Sequence, residues 1–190
     1  MTLQDKLDAF KVDFETNQAP AAAVEAFNQE LSDSGQAERA LKAGDIAPEC
    51  KLEETDGNII SSHELLAKGP VVLTFYRGIW CPYCNMELEA LEEVVSDIDA
   101  RGATLVAISQ QSRENNKNSK TKNGLSYSVL SDKGGDLGEQ FGLRWTLPAY
   151  LIEVFKMFNV DLTVFHKDDK WTLPMPARYV IEQDGTIAYA

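Results

Sequence analysis

Two cysteines separated by a Pro-Tyr pair stand out as able to do chemistry: Cys81 and Cys84, in the segment Trp80-Cys81-Pro82-Tyr83-Cys84. A thiol attacks only as its thiolate. Cys81 directly follows an apolar, β-rich run and opens a helical pattern. A helix N-terminus offers unpaired N–H groups and the positive end of the backbone dipole, and both favour a thiolate. Pro82 suits the first helical position, where no N–H is required. Cys84 falls one helical turn further in, on the same side. The spacing therefore makes Cys81 the nucleophile toward a sulfur or an oxygen. Cys84 is the thiol that resolves the product into an internal disulfide.

A zinc pair and inert packing are the competing readings. A structural zinc site takes about four ligands. Beyond the pair only Cys50, His63 and His166 remain, with no second pair, so no metal is expected. Cys50 has no cysteine near it in sequence and reads as a small core residue, with a third redox role left open.

The chain's 190 residues are 44% apolar, which allows one domain with an appendage and a core needing no disulfide staple. A net charge of −12 repels phosphate backbones, so nucleic acid is not an expected partner. No run approaches the ~18 apolar residues of a membrane span. The opening MTLQDKLDAF carries early acids and lacks the apolar middle of a signal peptide. A reducing, cytoplasmic setting is expected, where a close cysteine pair is redox-active more often than structural.

The elements that must hold the pair can be read from periodicity. Residues 1–44 are expected to be helical. Leu3, Leu7, Phe10 and Phe14 form one stripe behind a Thr2 cap. Pro20 opens a second helix with Val24, Phe27 and Leu31 on one side. Such helices need a surface to pack on, either the main domain or a second copy in a homodimer. Strands are expected at 49–53, 70–76, 103–109, 125–130, 179–181 and 186–190, with turns at Asp56-Gly57-Asn58 and Asp184-Gly185. Ser61 and Glu64 have the spacing of a capping box. A helix is expected from Pro82 to Ala100, closed by Gly102, which makes 70–109 a βαβ unit with parallel strands. Residues 112–123 read as a solvated helix or loop, and 136–141 as a short helix. An insert over 144–173 carries a helical stripe of Leu151, Ile152, Phe155 and Phe158, and walls a pocket or covers the sheet. Its two Trp-Thr-Leu-Pro tetrapeptides are read as a chance recurrence.

These residues together resemble the alkyl hydroperoxide reductase/thiol-specific antioxidant (AhpC/TSA) family, in its peroxiredoxin-like branch with a CxxC motif. The resemblance rests on Gly44-Asp45-Ile46-Ala47-Pro48, on Gly69 through Cys84 (GPVVLTFYRGIWCPYC) and on Pro176 through Gly185 (PARYVIEQDG). It implies an α/β, thioredoxin-like fold, a central mixed sheet flanked by helices, over residues 45–190. Residues 1–44 would be an N-terminal helical extension, and the domain is expected to lack its C-terminal helix. Carried over by residue, Cys81 is the peroxidatic cysteine, Cys84 the resolving one and Pro176 a cis-proline. Trp80, Pro82, Tyr83, Arg77 and Arg178 are expected to help shape the substrate contact.

The implied activity is antioxidant: thiol-dependent reduction of hydrogen peroxide or organic hydroperoxides. Thioredoxin, glutaredoxin or a small thiol would be the reductant, and no cofactor is expected. The family places Thr or Ser three residues before the reactive cysteine and Pro seven before. This chain has Gly78 and Thr74 there, and its Pro176 stands where a family arginine leads the late strand, leaving Arg178 or Arg77 to substitute. A disulfide reductase without a peroxidase role is therefore a second reading, and a non-catalytic, dimerising redox sensor a third. Against thioredoxin, Phe75 takes the place of the buried acid. Against glutaredoxin, Met175 precedes Pro176 where Val is usual.

Overall fold

The apolar run at 70–76 forms the middle of a sheet, as its composition predicts. The structure is a computed structural model that describes residues 2–17 and 21–190. In chain order the strands are β1 (Lys51–Glu54), β2 (Ile59–Ser61), β3 (Val71–Phe75), β4 (Thr104–Ser109), β5 (Ser128–Ser131), β6 (Arg144–Thr146), β7 (Thr172–Pro174), β8 (Ala177–Ile181) and β9 (Ile187–Tyr189). The helices are α1 (Leu3–Asn17), α2 (Ala21–Asp33), α3 (Gln36–Arg39), α4 (Ser62–Leu66), α5 (Pro82–Glu92), α6 (Val95–Asp99), α7 (Arg113–Lys122), α8 (Asp136–Gln140), α9 (Ala149–Met157) and α10 (Leu162–His166).

Seven strands make one mixed sheet in the order β2-β1-β5-β4-β3-β8-β9. Strand β3 pairs in parallel with β4, Val71 opposite Thr104 through Phe75 opposite Ile108, and antiparallel with β8. Parallel neighbours require a crossover, and α5 and α6 supply it. Side chains alternate across the sheet and split the core. Leu73, Phe75, Val106, Ile108 and Leu130 pack with Phe141 and Tyr179 on one face. Tyr76, Leu105, Ala107 and Val129 pack with Leu88, Leu91, Cys81 and Cys84 on the other. Phe75, Phe141 and Tyr179 form an aromatic trio with centroids 4.8–6.4 Å apart. Each such ring contributes roughly 2–3 kcal/mol by burial.

The helical preface packs on the domain. Thr2 Oγ1 accepts from the Asp5 N–H and the Asp5 carboxylate accepts from the Thr2 N–H, a reciprocal cap at α1. Phe10 of α1 meets Tyr83 edge to face at 4.9 Å, and Phe14 lies 5.9 Å from Phe158. In α2, Phe27 packs on Trp145 at 4.5 Å. The expected opening of this helix at Pro20 lies outside the described residues.

Several expectations need correction. The helix expected over 82–100 breaks after Glu92, and the chain restarts as α6 at Val95. Glu89 faces both Glu92 and Glu93 at helical spacing, an unfavourable arrangement, and two β-branched residues follow. The Glu92 carboxylate accepts instead from the Ser126 N–H at 2.8 Å. Ser61 makes no cap bond, because it is the last paired residue of β2. Its neighbour Ser62 accepts from the Cys50 N–H at 2.9 Å.

Helix α7 is not solvated all round. Asn116 and Ser119 are fully buried beneath it, and Asn123 is buried just after its end. The tetrapeptide recurrence, read as chance, has a structural role. Residues 145–148 and 171–174 pair with each other antiparallel, Thr146 opposite Thr172 and Trp145 opposite Leu173. The Leu147 N–H then donates to the Trp171 carbonyl at 2.8 Å. Thr faces Thr with a Trp–Leu pair on either side, a local twofold, and the pair closes the neck of the insert that carries α9 and α10.

The cis-proline expectation also fails. No cis peptide bond occurs among the described residues, so Met175–Pro176 is trans. Met175 donates its N–H to the Leu143 carbonyl at 2.9 Å, and β8 starts at Ala177. The two residues thus carry the chain from the small β6–β7 sheet to the central one, a path open to the favoured trans form.

Candidate active site

Cys81 stands at the N-cap of α5, with Pro82 at the first helical position, where its missing N–H costs nothing. The turn before it closes by a 3.0 Å bond from the Cys81 N–H to the Gly78 carbonyl. Both thiols are free and buried, Cys81 with 4% and Cys84 with 2% of its surface exposed.

The Cys81 thiol is lowered to about 7. The largest cause is a hydrogen bond from the Cys84 thiol, and burial opposes it. The Arg77 charge lowers it further, as do the Cys84 and Tyr83 amides, although no full cap hydrogen bond closes on the sulfur. Cys84 is pushed well up by the same hydrogen bond and by burial, while the Arg77 N–H donates to its sulfur at 3.5 Å. At neutral pH this environment favours a thiolate at Cys81 beside a protonated thiol at Cys84, and the neighbouring thiol contributes more to it than the helix start.

The other expected residues are placed unequally. Trp80 packs against the cluster that holds both cysteines, and its ring meets Phe155 of α9 edge to face at 5.3 Å. The insert therefore packs directly on the residue before Cys81. Tyr83, a third exposed, faces Phe10 of α1. Arg77 acts on both sulfurs by charge. Arg178, opposite Thr74 on β8, is committed to Glu87 at 2.5 Å. Pro176 lines a cleft together with Asn28, Leu31 and Tyr179. Cys50 packs on the opposite face of the sheet from the pair, half-buried, with its thiol raised chiefly by burial.

A buried polar network behind the pair escaped the sequence reading. Gln111 Oε1 accepts from the Ile79 N–H at 3.0 Å, and Asn85 Nδ2 donates to the Ile79 carbonyl at 2.8 Å. The loop before Cys81 is thus pinned on both sides of one residue. Gln111 Nε2 donates to Asn116 Oδ1 at 3.0 Å and reaches Ser119 at 3.2 Å. The Tyr76 hydroxyl donates to the same Asn116 oxygen at 2.7 Å. The available signal was spacing: Asn116, Ser119 and Asn123 recur on one helical face, with Lys117 and Lys122 on the others.

Gly78 explains the departure from the family's hydroxyl residue. Its φ is 156°, and a Cβ there would lie 2.6 Å from Trp80 Nε1 and 2.9 Å from Gln111 Oε1. Gly78→Thr is therefore expected to lower stability by about 1–3 kcal/mol through overpacking and to slow oxidation of Cys81. Denaturant unfolding beside a peroxide assay checks this. A variant as stable as the parent and faster with peroxide would show that the site has room for the missing hydroxyl.

A mixed sheet with a dithiol at the head of the helix after its central strand defines a thioredoxin-fold, thiol-dependent oxidoreductase. The AhpC/TSA family model matches residues 43–190. The thiol-disulfide oxidoreductase ResA of Halalkalibacterium halodurans is 31% identical over 134 residues, covering 67% of this chain and 74% of that protein. The chloroplastic peroxiredoxin Q of Gentiana triflora is 27% identical over 147 residues, 77% of this chain, and the match spans 57% of that protein's length. The crystal structure of peroxidoxin BcpB from Mycobacterium tuberculosis shares the fold at a TM-score of 0.64 and 23% identity, covering 78% of this chain and 84% of that one. The chain belongs to the AhpC/TSA family.

Proposed function

We propose that this chain is a thiol-dependent peroxidase in which Cys81 is oxidised by hydrogen peroxide or an organic hydroperoxide and Cys84 resolves the product. The observation that carries the reading is the depressed Cys81 thiol with a raised, protonated thiol one turn further in. The thiolate attacks one peroxide oxygen. The S–O bond forms, the O–O bond breaks, and the second oxygen leaves as an alkoxide or hydroxide that takes a proton from solvent. Cys84 then attacks the Cys81 sulfur, its proton leaving with the hydroxyl as water, and a disulfide remains. A dithiol reductant of thioredoxin or glutaredoxin type, or a small thiol, returns both to thiols. In this reading residues 45–190 are the catalytic domain, and α1 covers the side of the site at Tyr83.

A disulfide-reductase reading draws on the likeness to ResA and on the absence of a hydroxyl at Gly78. Stopped-flow oxidation of the reduced protein, followed by tryptophan fluorescence, separates the two. Oxidation by hydrogen peroxide well above the rate of a free thiol is expected. A rate no faster than a free thiol, with rapid attack on a protein disulfide, would sink the peroxidase reading in favour of the reductase.

A further inference from the structure

An enzyme that cleaves a peroxide must hold the negative charge growing on the leaving oxygen, and fixed N–H or O–H donors are the means. Glycine at 78 offers no hydroxyl, and the Arg178 guanidinium is held to Glu87 through Nη2, with its Nε buried and unpaired. The space is not empty. The point where a residue-78 Cβ would sit is 2.6 Å from Trp80 Nε1. That indole N–H is buried and has no hydrogen-bond partner. Gly78 and Cys81 are the two ends of one tight turn, so the unpaired donor belongs to the turn that presents the reactive sulfur.

A buried donor left unpaired costs about 1–3 kcal/mol, and a site that keeps one in place is organised for an acceptor that arrives later. The ring is held on one side by Phe155. The backbone beneath it is fixed by the two hydrogen bonds at Ile79. Arg77 Nε is a second buried, unpaired donor, one residue beyond Gly78 on the other side. Trp145 Nε1 is unpaired as well, but it belongs to the cluster of Phe27 and Leu151, whereas Trp80 also packs on the cluster that holds Cys81 and Cys84. Placement in the Cys81 turn is what distinguishes Trp80.

Resting on the peroxidase reading, we propose that the Trp80 indole N–H is a catalytic donor that takes over the task of the missing hydroxyl, hydrogen-bonding the peroxide oxygen that leaves. It gives a hydrogen bond and not a proton. The Cys81 sulfur is oxidised to the sulfenic acid, the peroxide is reduced, and the leaving oxygen is protonated by solvent.

Full-length Trp80→Phe keeps a ring against Phe155 and removes the N–H. Oxidation of Cys81 by hydrogen peroxide, followed by quenched thiol titration, is expected to slow about 100-fold. Alkylation by iodoacetamide, which needs no such donor, is expected to keep its rate and its pH midpoint. With peroxyacetic acid, whose carboxylate leaves unaided, the loss is expected to shrink to about tenfold or less. A hydrogen peroxide rate near the parent's overturns the proposal. So does an equal loss with both oxidants, or an equal loss in alkylation, since either would reduce Trp80 to packing. A parent protein no faster than a free thiol fails the peroxidase reading itself, and is told apart because it needs no variant.

Discussion

Cys81→Ser is expected to abolish peroxide oxidation and fast alkylation at neutral pH, a loss of at least about 1000-fold, because a serine hydroxyl does not ionise in this range and no other described thiol is activated. Substitutions at Cys84 are more discriminating. The hydrogen bond from the Cys84 thiol is the largest cause of the low Cys81 value of about 7. Cys84→Ala deletes that donor and is expected to move the Cys81 alkylation midpoint upward, toward that of a free cysteine. Cys84→Ser keeps an O–H and is expected to move it less. Neither can form the disulfide, so both should accumulate Cys81 sulfenic acid that a dimedone-type reagent traps. If Cys84→Ala leaves the midpoint near 7, the thiolate is set by Arg77 and the helix start, and the coupling between the two cysteines carries no weight.

The second large effect concerns acid stability. His166, at the end of α10, is 1% exposed, and neither ring nitrogen has a hydrogen-bond partner. Burial lowers its pKa from 6.5 to about 4, with the Asp168 charge pulling the other way. Between these values the unfolded chain binds a proton that the native imidazole refuses. Stability therefore falls as pH drops from 6.5 toward 4 and is unaffected above 6.5. The full shift corresponds to roughly 3 kcal/mol. His166→Phe fills similar volume and cannot titrate, so urea midpoints across this window should fall less steeply than the parent's. Asp132, raised mainly by burial, titrates with the opposite sign and is present in both proteins, so the difference between them isolates His166. Parallel slopes would refute the assignment.

Local pattern explains why much of the fold is legible in the sequence. The run at 70–76, the 103–109 strand, the Asp184-Gly185 turn and the Thr2 cap depend on neighbours within a few residues, and each is where the sequence puts it. The errors share one cause. The break after Glu92, the silent cap at Ser61 and the buried face of α7 were each settled by a partner outside the element itself: Ser126 for Glu92, Lys51 for Ser61, and Gln111, Ser131 and the β5 backbone for Asn116. Residues 145–148 and 171–174 show this most plainly. Identical tetrapeptides are visible to any reader, but that they pair is a property of the insert between them.

The division at the active site follows the same line. From sequence alone come the close cysteine pair, its place at the head of a helix and the order of attack proposed for it, because these depend on a four-residue spacing and on the end of one strand. Only the folded chain decides that Arg77 and not Arg178 acts on the sulfurs, that Met175–Pro176 is trans, and that an indole N–H fills the space beside Gly78. Those are matters of which side chains arrive from other elements and find an unpaired partner, and burial makes each pairing count for kilocalories where periodicity is silent.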